Sequence, residues 1–350
     1  MFTHQTTTKV KIADHIIGGG NPILVQSMVN VDSHDSAAVI KQIHALEEVG
    51  CDIVRIGFLD LEAVTNIGLI KKHTHLPLVA DIHLDYRLAL EAINQGIDKI
   101  RLNPGNIGSQ ANIAKVVTAA KKAGVPIRIG VNTGSIEAEI LAKYHHPTAA
   151  ALVESAQKHI KILEDLDFGQ IVVSVKASDV QLMITAYQLL AQTCPYPLHL
   201  GVTEAGTERA STIKSSLGIG SLLLQGIGDT IRVSLTGDPV EEVLIGRDIL
   251  KYLNFQAGPV LIACPTCSRT QYDLIPLAHR VEAYLKTITA PIKVAIMGCV
   301  VNGPGEAREC DIGIAGGKGQ GVLFMKGKVI KNIPEAQFYD ELIAGIKKMT

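Results

Sequence analysis

Short apolar runs recur along the first 240 residues and alternate with stretches of helical spacing. Between the runs, segments such as Ala37–Val49 place Val39, Ile43 and Leu46 on one helical face. Strands that alternate with helices indicate βαβ units and a parallel sheet. Eight such units within about 250 residues predict an α/β fold, the (β/α)₈ TIM barrel, with a doubly wound sheet as the alternative. The eight predicted strands are Ile23–Met28, Asp52–Gly57, Leu76–Ile82, Lys99–Asn103, Pro126–Val131, Gln170–Lys176, Leu198–Glu204 and Thr230–Leu235.

The pattern changes near Asn254–Pro259, where the spacing shortens and glycine becomes dense. We therefore predict two domains, a barrel over residues 1–254 and a small α+β domain over residues 255–350. The elements predicted for the second domain are strands Val260–Ala263 and Lys293–Met297, a hairpin around Ile312–Lys326, and helices Leu274–Leu285 and Glu335–Lys348.

Composition and charge exclude several classes of function. Apolar residues make up 47% and charged residues 19%, so the chain can bury a large core. A net charge of −1 provides no global field toward nucleic acid or a membrane surface. The polar stretch from Met1 to Asp14 is not a secretory signal, and no apolar run approaches the ~20 residues of a membrane span. We expect a soluble, cytoplasmic protein.

Basic residues stand at the predicted carboxyl ends of five barrel strands, which is where barrel enzymes place their active sites. They are Arg55, Arg101, Arg128, Lys176 and Arg232. Burial of so many cations needs compensating negative charge, and few carboxylates share these strand ends. The sequence therefore predicts a polyanionic ligand, whereas the alternative for each residue alone is a solvated strand-end charge. His83, taken alone, is predicted to be a hydrogen-bonded core residue.

Four of the six cysteines fall in the last quarter of the chain, which points to metal or redox chemistry. Cys264 and Cys267 follow one predicted strand and Cys299 follows another, so three thiolates form a candidate metal site. The fourth ligand is Cys310 or Glu306, and the spacing leaves both zinc and an iron–sulfur cluster open. The absence of a second close cysteine pair favours iron.

The chain resembles one family over nearly its whole length, from about Val25 to Gly327. This family is the 4-hydroxy-3-methylbut-2-enyl diphosphate synthases of the non-mevalonate isoprenoid pathway, in their short bacterial form. The motifs that carry the resemblance are Leu78-Val-Ala-Asp-Ile-His83, Arg101-Leu-Asn-Pro-Gly-Asn-Ile-Gly108, Arg128-Ile-Gly-Val-Asn132, Ser174-Val-Lys-Ala-Ser178, His199-Leu-Gly-Val-Thr-Glu-Ala-Gly206, Gly226-Ile-Gly-Asp-Thr-Ile-Arg-Val-Ser234, Cys264-Pro-Thr-Cys267 and Met297-Gly-Cys-Val-Val-Asn-Gly-Pro-Gly-Glu306.

The resemblance implies a [4Fe–4S] cluster held by Cys264, Cys267, Cys299 and Glu306, and 2-C-methyl-D-erythritol 2,4-cyclodiphosphate as substrate. Glu204 matches a family position that faces the substrate and is the candidate proton donor, and Glu306 is the second candidate catalytic residue. The resemblance also implies that reduced flavodoxin or ferredoxin supplies the electrons. It further implies that the protein is a homodimer. The residues implied to hold the diphosphate are Arg55, Arg101, Asn103, Arg128, Asn132, Lys176, Arg232 and Ser234.

Two functions of other classes compete with this reductase. One is a non-catalytic electron carrier or redox sensor, although a carrier needs no cation-lined barrel. The other is a zinc-stabilised barrel enzyme that acts on a different phosphorylated or pterin-like substrate. Metal content distinguishes zinc from iron.

Overall fold

A computed structural model describes residues 6–299, 305 and 307–350 of the chain. Its contacts divide the chain into two compact units, Met1–Phe255 and Gln256–Thr350. Glu306, the predicted cluster ligand and catalytic residue, lies outside the described residues. None of the helices within the described ranges is both long and apolar enough to cross a membrane.

The first unit is built on a barrel of eight parallel strands, which confirms the predicted fold class. A hairpin of β1 (Val10–Ile12) and β2 (His15–Ile17) precedes it. The last gap is closed by a parallel bridge between Val173 and Leu198. The barrel strands are β3 (Leu24–Met28), β4 (Ile53–Gly57), β5 (Leu78–Asp81), β6 (Lys99–Leu102), β7 (Ile127–Asn132), β8 (Ile171–Lys176), β9 (His199–Leu200) and β10 (Thr230–Ile231).

Helices surround the barrel, and polar caps begin several of them. Asp35 accepts a hydrogen bond from the Ala38 amide at 3.0 Å, and Asp179 accepts one from the Leu182 amide at 2.7 Å. The helices of this unit are α1 (Ser36–Glu48), α2 (Leu61–Thr65), α3 (Ile67–Ile70), α4 (Tyr86–Asn94), α5 (Gln110–Ala123), α6 (Ala138–Tyr144), α7 (Ala149–Glu164), α8 (Val180–Ala191), α9 (Glu208–Leu223) and α10 (Pro239–Tyr252).

The amino-terminal end of the barrel interior is apolar and is covered by the β1–β2 hairpin. Val10, Ile12 and Ile17 are fully buried there. They form one cluster with the first inward-facing residues of four barrel strands, Leu24, Ile53, Val79 and Val172. The sequence analysis missed this hairpin because each strand has only three residues, too few to show a periodic pattern.

In its described residues, the second unit is a five-stranded sheet with two longer helices. Its strands are β11 (Val260–Ala263), β12 (Lys293–Met297), β13 (Ile312–Gly316), β14 (Gln320–Met325) and β15 (Lys328–Pro334). The first three are parallel neighbours, and β13, β14 and β15 pair antiparallel. Helices α11 (Leu274–Leu285) and α12 (Phe338–Lys347) share one apolar core with the sheet.

Most barrel strands are slightly shorter than predicted, and two of them keep only two paired residues. The strand expected over Leu198–Glu204 pairs only at His199–Leu200, and the one expected over Thr230–Leu235 pairs only at Thr230–Ile231. A Cβ atom at Gly201 would lie 2.5 Å from the carbonyl oxygen of Arg232 and 2.7 Å from Lys176 Nζ. The segments after β9 and β10 therefore leave the regular strand pairing at the point where side chains of the barrel mouth pack closely against the backbone.

Candidate active site

A cavity of about 170 Å³ opens at the carboxyl-terminal ends of the barrel strands. Its walls hold the five cations that the sequence placed there, together with the predicted binding residues Asn132 and Ser234. The lining residues are Arg55, Asp81, His83, Arg101, Arg128, Asn132, Lys176, Val202, Thr203, Arg232 and Ser234.

Asp81 is the carboxylate nearest the centre of this cationic group. Its Oδ1 accepts a hydrogen bond from Arg101 Nη1 at 3.1 Å, and its Oδ2 lies 3.9 Å from Arg55 Nε. Burial raises the pKa of Asp81, but the charges of Arg55 and Arg101 and the contact with His83 outweigh it. The pKa of this carboxyl is therefore held well below its usual range, and Asp81 is ionised at neutral pH.

Glu242 is the second buried carboxylate near the cavity, and the sequence analysis missed it. It stands in the first turn of α10 and forms two hydrogen bonds with Arg232, of 2.8 and 3.1 Å. Ser27 Oγ donates a further bond to Glu242 at 2.9 Å. A prediction based on polar residues at strand ends does not include Glu242, because this residue reaches the barrel mouth from a helix.

Arg128 is the most enclosed of the five cations, with 1% of its surface exposed. Its Nη1 donates to Ser174 Oγ at 2.7 Å. Its Nε and Nη2 have no hydrogen-bond partner among the described residues. Arg55 points its Nε and Nη2 at the sulfur of Met28, a weak acceptor, at 3.0 and 2.8 Å. Both guanidinium groups thus keep donor capacity for a ligand.

Glycines in the strands make room for these long side chains. A Cβ atom at Gly130 would lie 2.4 Å from Arg101 Nε, and the carbonyl of Gly130 accepts a bond from Arg101 Nη2 at 3.0 Å. Gly201 leaves the corresponding space for Lys176. The glycines of the Arg128–Asn132 and His199–Gly206 motifs therefore act as spacers for cations in the barrel interior.

The cations repel one another and are poorly solvated. Burial, together with the charges of neighbouring Arg232 and Arg101 and against the opposing charge of Asp81, lowers the pKa of Arg55 to about 10. Burial, followed by the charges of the surrounding arginines, lowers the pKa of Lys176 well below its ordinary value. Arginine does not give up its proton in proteins, so this site gains stability from an added anion.

Two further predicted residues, Asn103 and Glu204, are not among the residues that line this cavity, whereas His83 is. Asn103 is buried, and its Nδ2 has no hydrogen-bond partner within the described part of the chain. Glu204 is exposed just beyond the lining residues Val202 and Thr203, with a φ of 51°. His83 is not the core residue we expected, because its side chain is 55% exposed and its Nε2 accepts from Arg101 Nη1 at 2.6 Å.

Two of the four cysteines of the second unit stand at the carboxyl-terminal ends of two adjacent parallel strands. Cys264 follows β11, Cys299 follows β12, and Cys267 lies exposed in the loop after Cys264. The Gly298 amide donates to Cys264 Sγ at 3.0 Å, and a Cβ atom at Gly298 would lie 3.2 Å from that sulfur. In the part of the chain that the structure describes, no three His, Cys, Asp or Glu side chains are gathered closely enough to hold a metal ion.

The donor set nevertheless fits a thiolate-held cluster. Three thiols on neighbouring strand ends are soft ligands, and an amide that donates to a sulfur stabilises its negative charge. Cys310, the alternative fourth ligand, is 1% exposed in an apolar cluster with Met297 and Phe324. Burial raises the pKa of this thiol, which disfavours the thiolate that a ligand must supply.

Comparisons with known proteins match both units. The model described as the GcpE TIM-barrel domain matches residues 7–247, and the model described as the GcpE protein C-terminal domain matches residues 260–348. A relative from Caldanaerobacter subterraneus is 58% identical over 99% of this chain and 98% of its own length. Another, from Ruminiclostridium cellulolyticum, is 56% identical over 98% of both chains. Both relatives are named 4-hydroxy-3-methylbut-2-en-1-yl diphosphate synthase (flavodoxin).

Among solved structures, dihydropteroate synthase from Stenotrophomonas maltophilia matches with a TM-score of 0.53 and 15% identity. The match covers 71% of this chain and 97% of that one. At this identity the likeness supports the barrel fold alone.

We predict that Asp81→Asn lowers the free energy of unfolding by about 3 kcal/mol at neutral pH, because it removes one partner of a buried ionic network. The pKa of Asp81 is depressed in the folded state, so its contribution is present above the unfolded pKa and is lost as pH falls through the folded value. Urea unfolding of both proteins at neutral and strongly acidic pH measures this difference.

Asp167→Asn is the matched control, because that carboxylate is 96% exposed and pairs only with surface Lys121 among the residues described. It should leave the unfolding midpoint unchanged. An Asp81→Asn protein as stable as the wild type at neutral pH would contradict the ionic role of Asp81.

Proposed function

Because the chain belongs to the GcpE family of 4-hydroxy-3-methylbut-2-en-1-yl diphosphate synthases, we propose that it opens 2-C-methyl-D-erythritol 2,4-cyclodiphosphate reductively. Two electrons and two protons enter the substrate. The cyclic carbon–oxygen–phosphorus linkage opens, and one oxygen leaves as water. The product is 4-hydroxy-3-methylbut-2-enyl diphosphate.

The group of cations in the barrel cavity is the observation that carries this proposal. Five permanently or readily charged side chains line about 170 Å³ of space. Asp81 and Glu242 already engage Arg101 and Arg232, whereas Arg128 keeps two donor atoms without a partner among the described residues. A diphosphate brings several acceptor oxygens and the missing negative charge.

The cations would also favour the ring-opened state. Negative charge on the diphosphate becomes more localised as the carbon–oxygen bond breaks, and donors already fixed in place stabilise that charge without reorganising. Ser174 orients Arg128, and the Gly130 carbonyl orients Arg101. Asn103, Asn132 and Ser234 are proposed to add neutral hydrogen bonds.

Glu204 is the proposed proton donor for the oxygen that leaves as water. Glu204 is exposed and directly follows Thr203, which lines the cavity, and this supports the assignment. A non-glycine residue with a positive φ is uncommon, and such conformations often occur at functional sites. General acid catalysis of this kind contributes about 10²–10⁴-fold.

Cys264, Cys267, Cys299 and Glu306 are proposed to hold a [4Fe–4S] cluster. When bound, this cluster supplies the electrons, one at a time, and a Lewis-acidic iron. Flavodoxin is the proposed reductant, on the strength of the relatives' names, with ferredoxin as the alternative. Thiolate ligands need a reducing compartment, so we propose a cytoplasmic location.

We also propose that the protein is a homodimer. Helices α9 and α10 border a groove of about 370 Å³ that is lined in part by Ile245, Ile249 and Tyr252, and Tyr252 is 59% exposed. Contiguous exposed apolar surface of this kind is typical of protein–protein contacts. A second copy of the chain would bury it.

We expect Arg128→Met and Glu204→Gln to separate binding from chemistry. Arg128→Met should weaken pyrophosphate binding at least ~30-fold, because it removes a buried charge that meets the phosphate. Glu204→Gln should bind pyrophosphate normally and lose about 10²–10⁴-fold in kcat on the cyclodiphosphate. Calorimetry measures the first effect, and anaerobic turnover with a chemical reductant measures the second.

Arg87→Met is the control for charge alone, because Arg87 is exposed and pairs with Asp85 on α4. It should match the wild type in both assays. Unchanged pyrophosphate affinity in Arg128→Met would contradict the diphosphate clamp, and unchanged kcat in Glu204→Gln would remove its role as acid.

Anaerobic purification should yield a brown protein with about four irons and four sulfides per chain, as expected of a thiolate-held cluster. Cys267→Ser should lose the colour and the iron. Cys194→Ser is the control and should keep both, because Cys194 lies in the first unit and donates weakly to Tyr196. One zinc and no colour in the wild type would contradict the reductase.

Tyr252→Lys on α10 should convert the dimer to a monomer, because Tyr252 lines this groove and a charge in the buried face of an interface is costly. Sedimentation equilibrium at micromolar concentration measures the mass. Leu69→Lys on α3, a residue 45% exposed away from this face, should remain dimeric. A wild-type chain that sediments as a monomer would contradict the dimer itself.

A further inference from the structure

A second polar layer lies in the barrel interior beneath the cavity. Lys99, His199 and Gln26 are at most 1% exposed. Lys99 Nζ, His199 Nε2 and both amide atoms of Gln26 have no hydrogen-bond partner among the described residues. None of the three lines the cavity above. Buried polar atoms are normally satisfied, so this layer requires an explanation.

Lys99 is the basic residue of this layer, and it lies beneath the arginines of the cavity. It precedes Arg101 by two residues on β6, so both point to the same side of the strand, while Ile100 and Leu102 belong to the core outside the barrel. The nearest charges that act on Lys99 are those of Arg128 and Arg55. The other charged or titratable groups around this interior are Asp81 on β5, His83 beyond β5, Arg101 on β6, Lys176 on β8, His199 on β9, Arg232 beyond β10 and Glu242 on α10.

We propose that Lys99 takes up a proton when an anion occupies the cavity, so that binding of a diphosphate is coupled to proton uptake. The inference rests on the proposed diphosphate site and deepens it. The proton comes from solvent through the open cavity and is bound by the free amine of Lys99. No bond in the ligand changes.

The physical reason is a balance of charge. With the cavity free of anions, burial lowers the pKa of Lys99 well below its ordinary value, and Arg128 and Arg55 lower it further. Arginine keeps its proton, so an amine is the group that relieves this repulsion by discharging. An anion bound by Arg128 and Arg55 cancels the repulsion, which raises the pKa of Lys99 and favours its charged form. The charged amine then adds attraction for the anion from below.

Two other titratable groups lie in the barrel interior, and their proton uptake must be distinguished from that of Lys99. Lys176 also has a depressed pKa, but it lines the cavity and contacts the ligand directly, so it contributes a part of the uptake that variants of Lys99 leave in place. His199 donates or accepts at Thr230 Oγ1 at 2.8 Å, and burial, followed by the charge of Lys176, lowers its pKa. An imidazole that starts from a pKa near 6.5 and is shifted down stays neutral at about pH 8.

The test is isothermal titration of the full-length protein with sulfate, which carries no titratable proton near neutral pH. Titrations at about pH 8 in Tris and in HEPES, whose ionisation enthalpies differ, give the number of protons taken up per anion bound. We expect net uptake in the wild type, and sulfate binding that tightens as pH falls from about 9 to about 7.

Two variants isolate Lys99. Lys99→Met is never charged and Lys99→Arg is always charged, so both should reduce the uptake by at least ~0.5 proton. The affinities of the two variants for sulfate should differ. Lys99→Met should bind more weakly than the wild type, and Lys99→Arg should bind at least as tightly. This opposite pattern distinguishes a lost titration from a damaged fold. Lys122→Met, at an exposed position on α5, should behave as the wild type.

Binding of sulfate without proton uptake, or equal uptake in the wild type and both Lys99 variants, would overturn the coupling and leave the diphosphate site standing. Failure of the wild type to bind either sulfate or pyrophosphate would overturn the anion site and the coupling together.

Discussion

The barrel of this protein is organised around positive charge that cannot be neutralised from within. Arg55, Arg101 and Arg128 project into a low-dielectric interior, where each unpaired charge is costly. Asp81 and Glu242 offset part of this cost, and glycines provide the space that the long side chains need. The remaining imbalance is the basis of the proposed affinity of the cavity for anions. A closed ring of parallel strands supports such a site because every strand ends at the same rim.

The same geometric rule operates in the second unit with different chemistry. Cys264 and Cys299 follow adjacent parallel strands; in the barrel, four of the five cations lie within parallel strands and Arg232 directly follows one. Parallel strands bring residues that are far apart in sequence to one edge, and the backbone amides beyond the strand ends are free to bond with what gathers there. The amide of Gly298 donates to the sulfur of Cys264 in this way. One unit thus presents the proposed anion site, and the other presents thiols, which are soft ligands suited to iron.

Function at this site has a cost in stability. Donor atoms of Arg128, Lys99 and His199 lack partners among the described residues, and each buried unsatisfied group opposes folding by about 1–3 kcal/mol. The apolar layer below them, with Ile12, Ile53 and Val172, is fully buried and offsets that cost through close packing. The barrel interior therefore combines an apolar layer that stabilises the fold with a polar layer that destabilises it. Such a combination is common where a rigid scaffold holds a functional site.

The sequence by itself determined the fold class and the chemical types at the site. Hydrophobic periodicity marked the eight strands because their buried faces must be apolar, and the basic residues at strand ends were visible because charge interrupts those runs. Only the tertiary structure decided which side chains meet. Glu242 comes from a helix, Lys99 lies two residues below the rim, and the β1–β2 hairpin covers the barrel floor. These contacts join residues across large sequence separations, and a local pattern carries no information about a partner that the closed barrel alone brings near.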